Sequence, residues 1–181
     1  LLTGTQSRSS LDGPLKVLEL GAGTGKFTRD FFNDKTHNNN VNRFHYTATE
    51  PSEGFRMLLE ESSPEGVNAV LDGTGESIPA DDESLDGIIV AQAWHWMANE
   101  TTLKEVNRVL KVGGKLIMVW NAMNHDSSWM AELDLGILTR SYDDKSIPRY
   151  ITNDWEQVFL SEYAKNHYVL PVTKWSTSHI Q

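Results

Sequence analysis

The segment Glu19-Leu20-Gly21-Ala22-Gly23-Thr24-Gly25 sets a carboxylate two residues ahead of three glycines at alternate positions. Glycines let the chain turn sharply and let a ligand come close to the backbone. A helix that starts there offers N–H groups that no intrahelical carbonyl takes. Two phosphate-binding loops do not fit. A Walker loop needs GxxxxGK and then Ser or Thr, but position 20 is Leu and Lys26 is followed by Phe27. A dinucleotide loop is spaced GxGxxG, whereas this one is GxGxG followed by Lys26. Glu50 ends an apolar run, a place where a carboxylate can take both hydroxyls of a ribose. Ala91-Gln92-Ala93-Trp94-His95-Trp96-Met97 leaves another such run. There His95 is the base candidate that the sequence places best, with a hydrogen-bonded structural histidine as the alternative. A Trp face steadies a nearby cation by about 0.5–2 kcal/mol. Trp94 or Trp96 can thus wall a cationic ligand, or either can be core, because neighbouring side chains point different ways.

These residues sit between elements that the apolar pattern predicts. Residues 16–20 read as a buried strand entering the glycine turn. A helix is predicted over 25–33, with Phe27, Phe31 and Phe32 at helical spacing. The polar, Asn-rich stretch 34–40 reads as a loop. Residues 44–49 form a second strand, and Ser52 caps a helix with Phe55, Leu58 and Leu59 on its inward face. Residues 67–71 form a third strand, 73–85 a loop, and 87–91 a continuous apolar strand of the buried parallel kind. Asn99 caps a helix with Leu103, Val106 and Leu110 inward, ended by Gly113 and Gly114. Residues 115–120 form a fifth strand. Beyond them Trp129, Leu133 and Ile137 share a helical face. Asn153 with Glu156 resembles a capping box ahead of Trp155 and Phe159, and 167–180 reads as extended. Alternating strands and helices argue for a parallel sheet covered on both faces, in the order 3-2-1-4-5.

Composition narrows the class of function. The 181 residues suit one α/β domain, and residues 1–181 are read as a single domain truncated at one or both ends. There are no cysteines, which excludes disulfides, Cys-ligated zinc and iron–sulfur clusters. A formal net charge of −9 with no basic run speaks against a nucleic-acid partner. No run of 18 apolar residues marks a membrane span, and nothing at the start reads as a secretory signal. A cytoplasmic location is therefore the expectation.

ExGxGxG after the first strand resembles motif I of class I S-adenosylmethionine (SAM)-dependent methyltransferases, as in the ubiquinone-biosynthesis and trans-aconitate types. Gly73-Thr74-Gly75-Glu76-Ser77-Ile78-Pro79 is similar to that family's G-D-A-E-x-L-P, with Thr74 in place of Asp. Residues 108–114 are similar to R-V-L-K-P-G-G, with Val112 in place of Pro. The resemblance implies a Rossmann-like α/β fold, a mostly parallel sheet in a three-layer α/β/α sandwich. It also implies SAM as cofactor and a small-molecule acceptor bearing a carboxylate or hydroxyl. The implied cofactor residues are Glu19, toward the amino group, Gly21, Ala22, Gly23, Thr24 and Gly25 around methionine and ribose, and Glu50 and Pro51. Thr74, Gly75 and Glu76 beside the adenine, and Ala91 and Gln92, complete the set. Asp86 is given a structural role, and no metal is expected. The family's final strand is expected to be absent, and the polar start to provide no lid, so that a partner chain or further residues complete the site. A non-catalytic SAM-binding subunit and a nicotinamide oxidoreductase remain as alternatives.

Overall fold

The computed structural model describes residues 13–33, 40–121 and 153–169. Within them five parallel strands lie in the order β3-β2-β1-β4-β5, as the alternating pattern predicted. They are β1 (Leu15–Leu20), β2 (Phe44–Thr49), β3 (Val67–Leu71), β4 (Leu85–Ala91) and β5 (Leu110–Val119). The helices are α1 (Lys26–Asn33), α2 (Asn40–Arg43), α3 (Glu53–Glu61), α4 (Trp94–Met97), α5 (Glu100–Val109) and α6 (Glu162–His167). A 3-10 helix (Asp154–Leu160) precedes α6.

Side chains alternate across a strand, and that alternation sorts the core into two layers. Leu18, Leu20, Ile88 and Val90 meet Trp94, Leu103, Val106, Trp155, Phe159 and Ala164 on one face of the sheet. Val17, Tyr46, Ala48 and Ile89 meet Leu59, Phe27, Phe31 and Phe32 on the other. The result is the Rossmann-like, three-layer α/β/α arrangement. Glu19 shares the parity of Val17, so its carboxylate is carried into the α1 and α3 layer and is buried there.

Several local expectations are corrected. Phe55 and Leu58 do not face inward: each is 51% exposed, and α3 touches the sheet through Leu59 alone among its buried residues. Ser52 stands at the α3 N-cap but makes no side-chain cap bond. Asn99 does cap α5, accepting from the Thr102 N–H. That helix stops at Val109, and Leu110 pairs with Leu85 as the first residue of β5. Gly113 and Gly114 lie inside an irregularity of that pairing, which resumes at Lys115 opposite Gly87, rather than ending a helix. Asn153 is left-handed (φ 58) with no side-chain cap bond, so no capping box forms, and residues 154–160 coil as a 3-10 helix. His167 ends α6 instead of opening an extended segment. The expected helix through Trp129, Leu133 and Ile137, the start of the chain, and most of the extended segment and any final strand lie outside the described residues.

The remaining motifs fasten elements together. Asp86 accepts from the Lys16 N–H at the start of β1 (2.9 Å) and pairs with Lys111 (3.0 Å), in keeping with a structural role. Arg108 binds Glu105, Asp82 and the carbonyls of Ile78 and Ala80, which anchors the loop ahead of β4 onto α5.

Candidate functional site

At the carboxyl ends of β1, β2, β4 and β5 a cleft of about 540 Å³ opens, the place where open parallel sheets take ligands. The sequence-predicted residues Glu19, Gly21, Ala22, Gly23, Thr24, Glu50, Pro51, Ala91 and Gln92 line it. Lys26, Phe27 and Asp30 of α1, Phe55 of α3, Met97 of α4 and Asn121 after β5 line it too. The sequence pattern gave these no role in the site. The alternation of the two tryptophans is resolved by α4. Trp94 is fully buried and stacks on Phe159 at 5.7 Å, while Trp96 is 60% exposed and lines the cleft.

The glycine loop is built by backbone geometry. Gly21, Gly23 and Gly25 have φ of 74, 58 and 79, the left-handed region that favours glycine. Gly21 lies so close to α4 that a Cβ on it would stand 2.9 Å from that of Ala93. A Cβ on Gly25 would run into Leu59. Four of the loop's N–H groups turn to acceptors within the protein. Those of Gly21 and Ala22 donate to the Thr49 carbonyl, that of Gly25 to Ala22, and that of Gly23 to Glu50 Oε2 (2.8 Å). Arg29 fixes the loop from behind, donating to the Thr24 carbonyl and to Ser62 Oγ, each at 2.7 Å.

Glu50 spans two loops. Its other oxygen accepts from the Ser52 N–H (2.9 Å), and its carbonyl accepts from Arg56 (2.7 Å). Glu19 is 1% exposed. Its Oε2 accepts from Thr28 Oγ1 (2.5 Å) and from the Tyr46 hydroxyl (2.8 Å). Burial pushes its carboxyl up to about 7, against the opposing pull of those two hydrogen bonds. Tyr46 is itself held by Phe31, stacked at 5.5 Å, and by Phe32, edge-on at 5.0 Å. Burial and the adjoining carboxylate raise the Tyr46 hydroxyl well above its ordinary range. Neither Tyr46 nor Thr28 stood out in sequence. Both reach Glu19 only through the pairing of β2 on β1 and the seating of α1.

Gln92, at the end of β4, has φ 59, which is uncommon for a residue other than glycine. Its N–H donates to the Val119 carbonyl (2.8 Å), so β5 holds the turn in place beside the cleft.

The structure does not bring every predicted residue to the cleft. Gly25 packs on Leu59 instead. Thr74 forms a backbone bridge with Ser77, and Glu76 accepts from the Asn99 side chain (2.8 Å). Gly75 lies against α5, where a Cβ would stand 2.7 Å from Thr102 Oγ1. His95 does not line the cleft either. Its Nδ1 accepts from the Trp120 indole (3.4 Å), and burial lowers its tendency to protonate.

The family described as methyltransferase domain matches residues 18–118. An uncharacterized methyltransferase of Mycobacterium bovis is 40% identical over 119 residues, 65% of this chain and 44% of that protein. An uncharacterized methyltransferase-like protein of Schizosaccharomyces pombe is 33% identical over 152 residues, 79% of this chain and 51% of that protein. The chain spans about half the length of these relatives. Among solved structures, a SAM-dependent methyltransferase from Methanosarcina mazei is 21% identical with a TM-score of 0.49, over 69% of this chain and 61% of that one.

Proposed function

The chain belongs to the methyltransferase domain family of class I, SAM-dependent enzymes, and from that premise we propose that its cleft binds SAM and presents it to a small-molecule acceptor. The observation that carries this reading is the combination of inward-turned loop N–H groups with carboxylates. A diphosphate needs N–H groups aimed at it, and here those of Gly21, Ala22, Gly23 and Gly25 are taken by the protein. Glu19, Asp30 and Glu50 line the cleft with Lys26 as the counter-charge among the described lining residues. Such a site suits a ligand carrying an ammonium and a sulfonium, and disfavours a nicotinamide dinucleotide.

A cleft of this volume lies within the usual range for a cofactor pocket. In this reading Glu50 takes the ribose hydroxyls and Glu19 meets the amino group, with Gly21 and Gly23 giving room for close approach. Bound SAM supplies a methyl group on a sulfonium that leaves as a neutral thioether. The protein's share is then alignment and exclusion of water, and orientation is worth roughly 7–11 kcal/mol in favourable cases. Trp96, Phe27 and Phe55 form the apolar wall that such exclusion needs. In this arrangement His95 carries its proton on Nε2, because Nδ1 accepts from Trp120. His95 lies away from the cleft lining with Nδ1 engaged by Trp120, so this reading does not rely on it as the base, and a carboxylate acceptor, which needs none, suits the site better than a hydroxyl.

We place this activity in the cytoplasm, on small molecules rather than nucleic acid, in line with the net charge of −9. No helix among the described residues is long and apolar enough to cross a membrane. Calorimetric titration of this chain with SAM, S-adenosylhomocysteine and NAD tests the reading. Binding of the first two without the third is expected. Binding of NAD alone would overturn it, and a ligand found by mass spectrometry of the purified protein would identify the acceptor.

A further inference from the structure

Among the described residues the Glu19 carboxyl in the cleft floor hydrogen-bonds to neutral donors alone, although the proposed ligand is a cation. Glu19 accepts from two hydroxyls on one oxygen, Thr28 from α1 and Tyr46 from β2. From β4, the residue beside it in register is Ile89, which carries no charge. The charged groups of the same cleft, Lys26 and Asp30 on α1 and Glu50 after β2, make no hydrogen bond or ion pair with it. We propose that Tyr46 and Thr28 are positioning residues that hold the Glu19 carboxyl in the cleft floor without a cation, so that it releases a proton to solvent as a cationic ligand enters. The inference rests on the SAM reading of the cleft and adds to it a linkage between ligand and proton.

The physical argument has three steps. A buried carboxyl without a positive partner prefers its neutral form, and burial here pushes it up to about 7. A ligand ammonium or sulfonium brought into the same low-dielectric floor favours the charged form. The proton cannot pass to Tyr46, because burial and this carboxylate keep its hydroxyl protonated already. It therefore leaves to solvent. The two hydroxyls donate to the same carboxyl oxygen and steady it once it is charged, and the rings of Phe31 and Phe32 keep the Tyr46 hydroxyl where it is.

Titration calorimetry with SAM on the 181-residue chain, in paired buffers of different ionisation heat, reads the linkage directly. Affinity should fall about tenfold between pH ~8 and pH ~6, with close to one proton released per ligand at the lower value. Glu19→Gln keeps the shape and the ligand's own titration but has no proton to lose, so its profile should lack this fall. Tyr46→Phe removes a donor to the charged form and should move the fall to higher pH. The affinity deficit of that variant is then largest at the acid end of this range and vanishes in more alkaline buffer. Thr28→Val should shift the profile in the same direction, and it serves if Tyr46→Phe does not fold. A wild-type profile that superimposes on that of Glu19→Gln, with SAM still bound, would overturn the inference and leave the SAM reading intact. An equal loss at every pH in Tyr46→Phe and Thr28→Val would overturn the positioning role. No binding of SAM at any pH would remove both readings together.

Discussion

Two carboxylates that look alike in sequence differ in what the fold asks of them. Glu50 accepts from two backbone N–H groups, those of Gly23 and Ser52, and so ties the glycine loop to the start of α3. Glu50→Ala should weaken SAM binding by about 1–3 kcal/mol, the scale of hydrogen bonds to a charged group. Glu50→Gln keeps one acceptor oxygen and should lose less. Titration of the two folded variants checks this, and unchanged affinity in Glu50→Ala would remove Glu50 from the site. Glu19 instead bears on stability. Burial pushes its carboxyl up to about 7 in the folded chain, against 4.5 as the ordinary value. Between those values the folded state keeps a proton that the unfolded state has lost. The stability this contributes is therefore complete below the unfolded value and is lost as pH rises through the folded one. Glu19→Gln keeps an acceptor for Thr28 and Tyr46 and does not ionise. It should gain on the wild type across that window, by up to ~3 kcal/mol, and hold that gain above it. Urea unfolding of the pair near pH ~5 and pH ~8 measures the gain. A difference that does not change with pH would show that burial has not shifted the group.

At the scale of elements, the glycine loop separates two costs that sequence alone merges. Gly23 and Gly25 both have positive φ, but a Cβ meets nothing at Gly23 and runs into Leu59 at Gly25. Gly23→Ala should cost about 1–2 kcal/mol, the left-handed penalty alone. Gly25→Ala should add an overpacking cost of about 1–3 kcal/mol by forcing α3 off the loop. Denaturation midpoints of the two variants check the order, and equal costs would mean that α3 yields freely. The same elements show what the sequence could and could not disclose. The strands were readable because apolar runs broken by glycine or polar residues leave few other structures. The inward face of α3 was misread because Phe55, Leu58 and Leu59 share helical spacing, while only Leu59 meets the sheet. Spacing reports which residues share a helix face, not how much of that face another element covers. The start of β5 was misplaced because Leu110 continues the apolar stripe of α5, yet its backbone pairs with Leu85 far away in the chain. The holders of Glu19 were invisible for the same reason, since Tyr46 lies 27 residues away from it. The glycine loop, Glu19 and Glu50 were readable as a group because their spacing tracks the strand ends, whereas Lys26, Asp30 and Asn121 reach the cleft without any pattern to mark them.

Across the whole molecule, the last described segment completes the layer beneath the site. The 3-10 helix sends Trp155 and Phe159 into the core, at 6% and 5% exposure. Phe159 stacks on Trp94, the Trp94 indole donates to the Trp155 carbonyl (3.4 Å), and Trp155 packs on Trp120 at 4.5 Å. Trp94 is the first residue of α4, a single turn of helix that also carries Trp96 and Met97 into the cleft. One turn does not hold its own conformation in water, so its direction is set by what grips Trp94 from below. Phe159 thus supports the cleft wall from a position far along the chain from α4. Phe159→Ala should cost about 3–5 kcal/mol, as for other buried aromatic truncations. It should also weaken SAM binding, because the loosened α4 no longer fixes Trp96 and Met97. Met57→Gln is the control: Met57 is 55% exposed on α3, so its stability should stay within about 0.5 kcal/mol of the wild type and its affinity should not change. Urea unfolding together with SAM titration, run under conditions where each variant is folded, separates the two effects. Full SAM affinity in a folded but destabilised Phe159→Ala would show that α4 keeps its place without the segment beneath it, and that the core and the cleft are independent.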